Sequence, residues 1–455
     1  MIDQVIIIVY LLVMLSVGLY FARKQKTQDS FFLASRNLGI FHVVASIFST
    51  VSGAGTVFMV AALGYTYGIS AIWFFISSFV GFIIFSLAVP KIKQIADEHD
   101  CITLPELLIV KLDRKSMILA SLVTIAIFGG FVAVNFLAAG KILKIVFDVP
   151  LAPIVVGFAV VVTLYSLLGG FKAVVWTDII QMFIIIFGVS LVLILAINSA
   201  GGVGAINSLP ETHKDPIGMG LPLIIGMFLS TFLSYFSSQD IYQRMFAAKS
   251  QTTAKRSVVL MGILLVLGGS VVMFLGVFGR ILFPDILAGE VIPTLTKNLV
   301  PVGLTGFVLA AYLAMANSTA DSELLTVTSN IMRDFFGRKR RLTPKQEVTA
   351  SRIIVILVAI VALVFALTTR NIIHMVLSMY TWLGILGINV IATLFWKRTT
   401  ANAVFWSLVI GFASAIMYAF TTRDFETSMI VGLIPSIIVL VTVSLFSNKH
   451  SILKK

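Results

Sequence analysis

Long apolar segments recur along this chain, each about the length of a helix that crosses a lipid bilayer. A membrane-spanning helix needs about 20 largely apolar residues, and only helices or closed barrels satisfy their backbone hydrogen bonds inside a bilayer. The segments predict about thirteen spanning helices and therefore an all-α polytopic membrane protein. They lie at 4–21, 39–66, 71–95, 117–146, 151–168, 174–198, 221–246, 257–282, 303–332, 350–369, 373–396, 403–420 and 428–447.

Basic residues are concentrated in alternate loops. The chain is 59% hydrophobic and 12% charged, with a net charge of +13. Such a charge could suit nucleic acid, but these cations lie in short loops between apolar spans, so no nucleic-acid partner is predicted. Because cytoplasmic loops carry more Lys and Arg, the pattern predicts an outer N-terminus and a cytoplasmic C-terminus. The predicted inner clusters are Arg23-Lys24-Lys26, Lys91-Lys93, Lys111-Arg114-Lys115, Lys255-Arg256, Arg338-Lys339-Arg340-Arg341, Lys397-Arg398 and Lys454-Lys455.

The chain offers little room for a soluble domain or for enzyme chemistry. Its longest hydrophilic stretches, 199–220 and 333–349, are too short to form a core. Asp3 precedes the first apolar run and the basic cluster follows it, which is opposite to a cleavable signal. No phosphate-binding loop or zinc-protease motif occurs, and the one cysteine, Cys101, permits no internal disulfide. We therefore predict a single transmembrane domain that is not an enzyme, has no organic cofactor and requires no oligomer.

The ninth span contains an unusual polar run, from Met315 to Glu323. Ser318, Asp321 and Ser322 stand at positions i, i+3 and i+4, so they share one helix face. Acids at bilayer depth are costly and commonly mark ion pathways, and a face lined by oxygen suits a hard cation such as Na⁺. An interhelical hydrogen-bond seam is the alternative.

Two spans contain small polar residues where the backbone of a helix could break. The second span includes the serine- and glycine-rich stretch 49–56, and the seventh includes the serine-rich stretch 230–240. Freed carbonyls at such breaks can coordinate a cation, although close helix packing through small residues is the alternative. A pair of interrupted helices in two halves of a chain indicates a transporter site.

Four motifs in order resemble the sodium:solute symporter family. They are GYTYGIS (Gly64–Ser70), YSLLGGFKAVVWTDIIQ (Tyr165–Gln181), QDIYQRMFAAKS (Gln239–Ser250) and the ninth-span segment beginning ANSTADSELL at Ala316. The resemblance implies a five-plus-five inverted-repeat core with broken helices over residues 37–400. An extra helix would lie within 1–36 and two more within 401–455.

The resemblance also implies the position of a main sodium site. Carbonyls of Ser49 and Ser52 in the broken second span and of Met315 in the ninth would bind sodium, together with the hydroxyls of Ser318 and Thr319. A second cation, as in some members, would lie near Asp178, Asp321 and Ser322. Asp321 stands where some two-sodium members have serine, so it could strengthen that site or bind a proton instead.

The solute is less constrained by the same resemblance. Sugar carriers have a glutamate and a lysine where this chain has Ile72 and Leu265, and sialic-acid carriers have an arginine in the fourth span, where Asn135 is the nearest polar residue here. We therefore expect an amino acid or a monocarboxylate rather than a sugar. The candidate solute-binding residues are Thr56, Asn135, Tyr235, Gln239, Asp240, Tyr380, Thr381 and Trp382.

The resulting hypothesis is a sodium-coupled importer in the plasma membrane that works by alternating access. Its partners would be a small-molecule solute, Na⁺ and the lipid bilayer. A cation channel and a solute sensor without transport are the alternatives, and uptake with and without a sodium gradient separates the three.

Overall fold

The computed structural model describes residues 2–23, 25–109, 111–144, 147, 149–336, 342–369, 372–422 and 427–447. This part of the chain is helical apart from one isolated parallel bridge between Leu38 and Ala248. Its α-helices are α1 (Ile2–Ala22), α2 (Gln28–Leu33), α3 (Ile40–Val51), α4 (Ala54–Tyr67), α5 (Trp73–Glu98), α6 (Leu104–Leu108), α7 (Arg114–Leu143), α8 (Leu151–Ser199), α9 (Glu211–Lys214), α10 (Leu221–Ser234), α11 (Gln239–Ala247), α12 (Gln251–Leu282), α13 (Val291–Leu299), α14 (Thr305–Asn330), α15 (Pro344–Thr368), α16 (Ile372–Phe395), α17 (Ala401–Thr422) and α18 (Ser428–Phe446).

The helices confirm the predicted all-α membrane architecture. Nine helical stretches of the described residues are long and apolar enough to cross a bilayer, judged by length and composition, and 40–51 and 430–446 are shorter apolar helices. α14 is not among the nine because polar side chains occupy its centre. The exact count of thirteen stays a prediction. The basic run at 338–341, together with Lys24, Lys454 and Lys455, lies outside the described residues.

Both predicted helix breaks are present. α3 ends at Val51 and α4 begins at Ala54, so Ser52 and Gly53 separate the two halves of the second span. α10 ends at Ser234 and α11 begins at Gln239. In this second break the Ser237 hydroxyl donates to the Leu383 carbonyl at 2.7 Å, which ties the interruption to α16. Each break therefore exposes helix-terminal backbone inside the protein.

The fifth and sixth predicted spans meet at a single glycine within α8. Gly170 has φ +59° and ψ −165°, outside the helical region, so two helical segments join there. A Cβ atom at this position would lie 2.9 Å from the Phe31 carbonyl oxygen and from its ring. Both the positive φ and the close approach of α2 therefore favour glycine.

α14 lies at the centre of the bundle. Every residue from Val308 to Asn330 is buried, and the helix packs against α8, α7, α1 and α3. Tyr10 of α1 contributes to the packing around α14, since its hydroxyl accepts hydrogen bonds from Asn317 at 3.1 Å and from Gln181 at 3.0 Å. Because protein surrounds this part of the helix, its polar side chains are shielded from lipid.

Candidate functional site

The end of α3 is joined to the middle of α14 by neutral oxygen atoms. The Ser318 hydroxyl donates to the Ser49 carbonyl at 2.7 Å, and the Thr319 hydroxyl donates to the Thr50 carbonyl at 2.8 Å. Both hydroxyls also lie close to the Met315 carbonyl, at 3.2 and 3.0 Å. Two hydroxyls and three carbonyls therefore converge at the break between α3 and α4. We call these five groups the α3–α14 seam.

Gly53 allows α14 to approach this break closely. A Cβ atom built on Gly53 would lie 2.5 Å from the Thr319 hydroxyl oxygen and 3.3 Å from the Thr319 Cβ. No ordinary side chain fits in that distance, so glycine is required by the close approach rather than by its backbone angles. The seam thus depends on a residue that bears none of its ligands.

The predicted second cation site contains an arginine. The Arg244 guanidinium, on α11, donates to the hydroxyls of Ser46, Thr50 and Ser322 at 2.8, 2.5 and 2.7 Å. The same group lies 3.3 Å from a carboxylate oxygen of Asp178, and both side chains are fully buried. Arg244 also stands over the Phe171 ring, 5.4 Å from the ring centroid. We call the residues around this guanidinium the Arg244 cluster.

The two acids of this region have different partners. One Asp178 carboxylate oxygen accepts from Ser46 at 2.5 Å and from Arg244, while its other oxygen has no hydrogen-bond partner among the described residues. Asp321 accepts hydrogen bonds from the Tyr165 hydroxyl and, at 3.2 Å, from Ser322. A buried carboxylate needs compensation of this kind, because desolvating an ion costs several kcal/mol.

A small cavity beside the seam has polar and apolar side chains in its lining, and we call it the polar cavity because acids and hydroxyls reach it. It has a volume of about 50 Å³ and includes five of the predicted solute-binding residues in its lining. These five are Thr56, Asn135, Tyr235, Asp240 and Tyr380. Glu323 lines the same cavity, one helical turn beyond Thr319 on α14. The polar cavity is therefore built from both helix breaks and from α7, α14 and α16.

A larger apolar cavity of about 290 Å³ adjoins it. The two cavities share Val51, Thr56, Tyr235 and Tyr380 as wall residues. The hydroxyl oxygens of Thr56 and Tyr380 are 3.3 Å apart, so these two side chains form part of the wall between the cavities. Phe74 and Phe131 contact the Tyr380 ring edge to face, at centroid distances of 6.1 and 6.0 Å.

Four predicted site residues lie elsewhere. The Gln239 side chain accepts from the Leu104 backbone amide and donates to the Ile102 carbonyl at 3.3 Å, at the connection between α5 and α6. Thr381 donates to Leu377 within its own helix, and the Trp382 ring packs against Phe412. Ser52 lines the apolar cavity, and its amide donates to the Phe48 carbonyl. None of these four side chains lines the polar cavity.

Three residues of the site were not among the predicted ligands, although Glu323 belongs to the polar run identified in the sequence. Thr50 supplies the second α3 carbonyl of the seam, Arg244 supplies the guanidinium and Glu323 supplies a second cavity acid. A charged residue inside a predicted span is a usable signal, and both Arg244 and Glu323 satisfied it. The exact break point of α3 had no such signal, because three of the four residues from Ser49 to Ser52 are serine or threonine.

Ion pairs gather at the opposite end of the broken α3, away from the cavities. They lie in the chain just before α3, near the end of α5, and between α6 and the residues that follow α14. The pairs are Arg36–Asp29 at 2.8 Å, Arg36–Asp100 at 2.7 Å, Lys93–Asp97 at 2.5 Å and Arg333–Glu106 at 2.9 Å. We call this set the basal network.

A helical membrane bundle with two broken helices, and a polar site where they break, is the architecture of a secondary transporter. The model of the Sodium:solute symporter family matches residues 31–411 of this chain. The sodium/proline symporter of Escherichia coli K12 is 27% identical over 438 residues, which cover 90% of this chain and 86% of the relative. The sodium/glucose cotransporter of Vibrio parahaemolyticus is 25% identical over 479 residues, with coverage of 94% and 86%.

A solved structure shares the fold over the whole length. A Na⁺-coupled sialic acid symporter in a substrate-bound, outward-open state superposes with a TM-score of 0.88 at 20% identity, covering 100% of this chain and 99% of the other. The chain belongs to the sodium:solute symporter family. It is a multi-pass membrane protein that transports a solute together with sodium, and the predicted family and transporter fold are confirmed.

Proposed function

We propose that this protein is a plasma-membrane importer in which sodium bound at the α3–α14 seam drives uptake of a small organic solute. An amino acid or a monocarboxylate is favoured over a sugar, because Ile72 and Leu265 replace the polar residues of sugar carriers. The core lies within 37–400, with the N-terminus outside and the C-terminus in the cytoplasm. Proline and glucose are named for relatives of similar identity, so overall identity does not select the solute.

The seam is the single observation that carries this proposal. Na⁺ gives up its water only where oxygen atoms replace it, and neutral carbonyls and hydroxyls suit this ion. The proposed ligands are the carbonyls of Ser49 and Met315 and the hydroxyls of Ser318 and Thr319, with a further α3 carbonyl from Thr50 or Ser52. The observed hydroxyl-to-carbonyl distances of 2.7–2.8 Å between α3 and α14 support it, since these groups already converge.

Removal of the two hydroxyls tests the site directly. In Ser318→Ala/Thr319→Ala, each lost ligand is expected to cost about 1–3 kcal/mol, by analogy with an unmet buried hydrogen bond. We expect sodium to stabilise the purified protein against heat, with potassium as the balancing ion, and the double variant to need at least about tenfold more sodium. The control is Thr328→Ala, whose hydroxyl bonds its own helix at Leu324. Unchanged sodium dependence in the double variant would reject this site.

We further infer that one sodium ion accompanies each solute. The Arg244 guanidinium takes the position expected for a second cation, since its partners are Asp178 and Ser322. A resident cation of this kind supplies permanently the charge that a second sodium would supply in each cycle. Asp321 then has no cation to bind directly, and its tyrosine and serine partners support a structural role.

Sodium would couple to the solute through the break in α3. An ion at the seam fixes the end of α3 against α14, and the same break supplies Thr56 to the polar cavity. Solute affinity should therefore rise when sodium is bound, and sodium affinity should rise equally when solute is bound. The basal network would close the cytoplasmic side in this state, so the cycle must break its ion pairs before sodium and solute leave inward.

A further inference from the structure

The polar cavity is more acidic than a site for an uncharged or anionic solute needs to be. Asp240 and Glu323 both line it and are only 6% and 3% exposed. One oxygen of the Glu323 carboxylate has no hydrogen-bond partner in the part of the chain that is described, and the same holds for the Asn135 side-chain oxygen. Three buried acceptor groups thus face one cavity, and two of them have an unpaired oxygen. Unpaired buried acceptors indicate a missing donor.

The resident arginine makes no direct ion pair with these cavity acids. Four buried carboxyl groups lie around the seam, at Asp178, Asp240, Asp321 and Glu323. Arg244 directs its guanidinium at Asp178 and at hydroxyls, and it meets Asp240 only at the backbone carbonyl, at 3.1 Å. One sodium ion at the seam adds one positive charge. A buried carboxylate is stabilised by a positive or hydrogen-bonding partner, so the unpaired oxygens of this cavity favour a ligand that supplies donors and positive charge.

Aromatic rings also line the polar cavity beside the two acids. Phe128, Phe131, Tyr235 and Tyr380 line the polar cavity together with the two acids. Aromatic faces attract organic ammonium groups, and the attraction strengthens when water is excluded. The adjoining apolar cavity of about 290 Å³ offers space for hydrocarbon beyond the Thr56–Tyr380 wall. The acids and the aromatic rings therefore suit an ammonium group, and the apolar cavity suits a hydrocarbon portion of the same molecule.

We propose that the transported solute is an amine cation, with its ammonium group between Asp240 and Glu323 and its apolar body directed past Thr56 and Tyr380 into the larger cavity. This proposal rests on the proposed function and revises the solute favoured there: an ammonium group is required, and a monocarboxylate is disfavoured. A monocarboxylate would place a third carboxylate beside two acids whose side chains Arg244 does not contact. An ammonium group instead donates to the unpaired oxygens of Glu323 and Asn135.

Thermal unfolding of the purified full-length protein in sodium tests this with three probes of similar skeleton. They are 2-phenylethylamine, 2-phenylethanol and 3-phenylpropionate, which carry a cation, a neutral group and an anion. We expect the amine alone to raise the melting temperature. Glu323→Gln and Asp240→Asn should each weaken the apparent amine affinity at least tenfold. The control, Glu290→Gln, removes an exposed acid after α12 and should leave the amine effect unchanged.

Several outcomes would overturn the proposal. They are stabilisation by the anion or the alcohol instead of the amine, no stabilisation by any of the three probes, or an amine effect that survives both acid substitutions. Sodium stabilisation without any solute is measured in the same samples. Its persistence shows that each variant is folded and that the sodium site stands even if the amine assignment fails. If sodium without solute does not stabilise the wild-type protein, the proposed function is rejected instead. If a variant does not fold, the wild-type comparison of the three probes still decides.

Discussion

Two neighbouring positions on α14 differ in the partners of their buried polar side chains. At the α3–α14 seam, Ser318 and Thr319 meet only neutral oxygens of α3 and of their own helix. One turn away, Ser322 meets the guanidinium of Arg244, which also pairs with Asp178. The seam is thus neutral and rich in acceptors, whereas the Arg244 cluster already contains a cation.

The contrast indicates which of the two positions can exchange an ion. Hydroxyls that bond carbonyls can turn toward a cation at the cost of one weak hydrogen bond each. A guanidinium with five hydrogen-bond partners cannot leave without exposing a buried carboxylate, which costs far more. The neutral seam is therefore suited to a transported ion, and the cluster is suited to a permanent one.

The largest expected effect is on stability, from removing Arg244. Arg244→Ala leaves the Asp178 carboxylate buried without a cation, and we expect a loss of about 3–5 kcal/mol in the free energy of unfolding. Asp178→Asn in the same chain should restore part of it, because the uncompensated charge is then gone. Denaturant unfolding of both single variants and the double variant gives the coupling energy.

The control for that cycle is Arg256→Ala, which removes an exposed arginine on α12. If Arg244→Ala is no more harmful than this surface change, the guanidinium does not compensate Asp178. The distinction between the two positions on α14 would then disappear.

A smaller effect is expected at the seam from Gly53→Ala. The added methyl group would lie 2.5 Å from the Thr319 hydroxyl, so α14 and the end of α3 must separate. We expect apparent sodium affinity to fall about tenfold, which corresponds to about 1.4 kcal/mol. Sodium-dependent melting measures it, and Gly129→Ala is the matched control because nothing lies within 4 Å of its added Cβ. Equal sodium affinity in the two variants would show that the close approach is dispensable.

The smallest effect concerns a further buried acid, Asp334, just beyond the end of α14. Burial raises the pKa of the Asp334 carboxyl to about 7, although hydrogen bonds from Ser121, Thr103 and Asn330 act in the opposite direction. The folded protein therefore binds this proton more tightly than the unfolded chain. Stability from this group is complete below the ordinary value of 3.8 and declines as the pH rises toward about 7.

Asp334→Asn should flatten that part of the curve of melting temperature against pH. Asp285→Asn, which changes an exposed acid, should keep the wild-type slope. An unchanged slope in Asp334→Asn would mean that neutral donors alone hold this carboxylate ionised, and the contrast with the arginine-paired Asp178 would weaken.

The fold and the α3–α14 seam could be predicted from the sequence more readily than the Arg244 cluster. Apolar runs about 20 residues long specify spanning helices almost alone, and the small polar residues at 49–56 and 230–240 marked both breaks. The resemblance to the symporter family pointed to the hydroxyls of Ser318 and Thr319. Arg244 was visible as a charge inside a predicted span, but its partners were not, because the side chains it contacts lie 66 to 198 residues away in the chain. A long-range ion pair of this kind leaves no local periodicity.

The lining of the polar cavity was also predicted only in part. Thr56, Asn135, Tyr235, Asp240 and Tyr380 were predicted and do line it. Gln239 precedes Asp240 in sequence, but successive helical side chains point about 100° apart, so it meets the α5–α6 connection instead. Thr381 and Trp382 follow Tyr380 and turn away for the same reason. Proximity in sequence within a helix does not imply a shared face.

The number of sodium ions bound per chain tests the central claim most directly. Equilibrium binding of radioactive sodium to purified protein, with potassium as competitor and a saturating amine probe, counts the ions without any need for transport. The account predicts one ion per chain and no cooperativity, because Arg244 permanently occupies the second cation position. Two ions per chain with cooperative binding in the wild-type protein would contradict it.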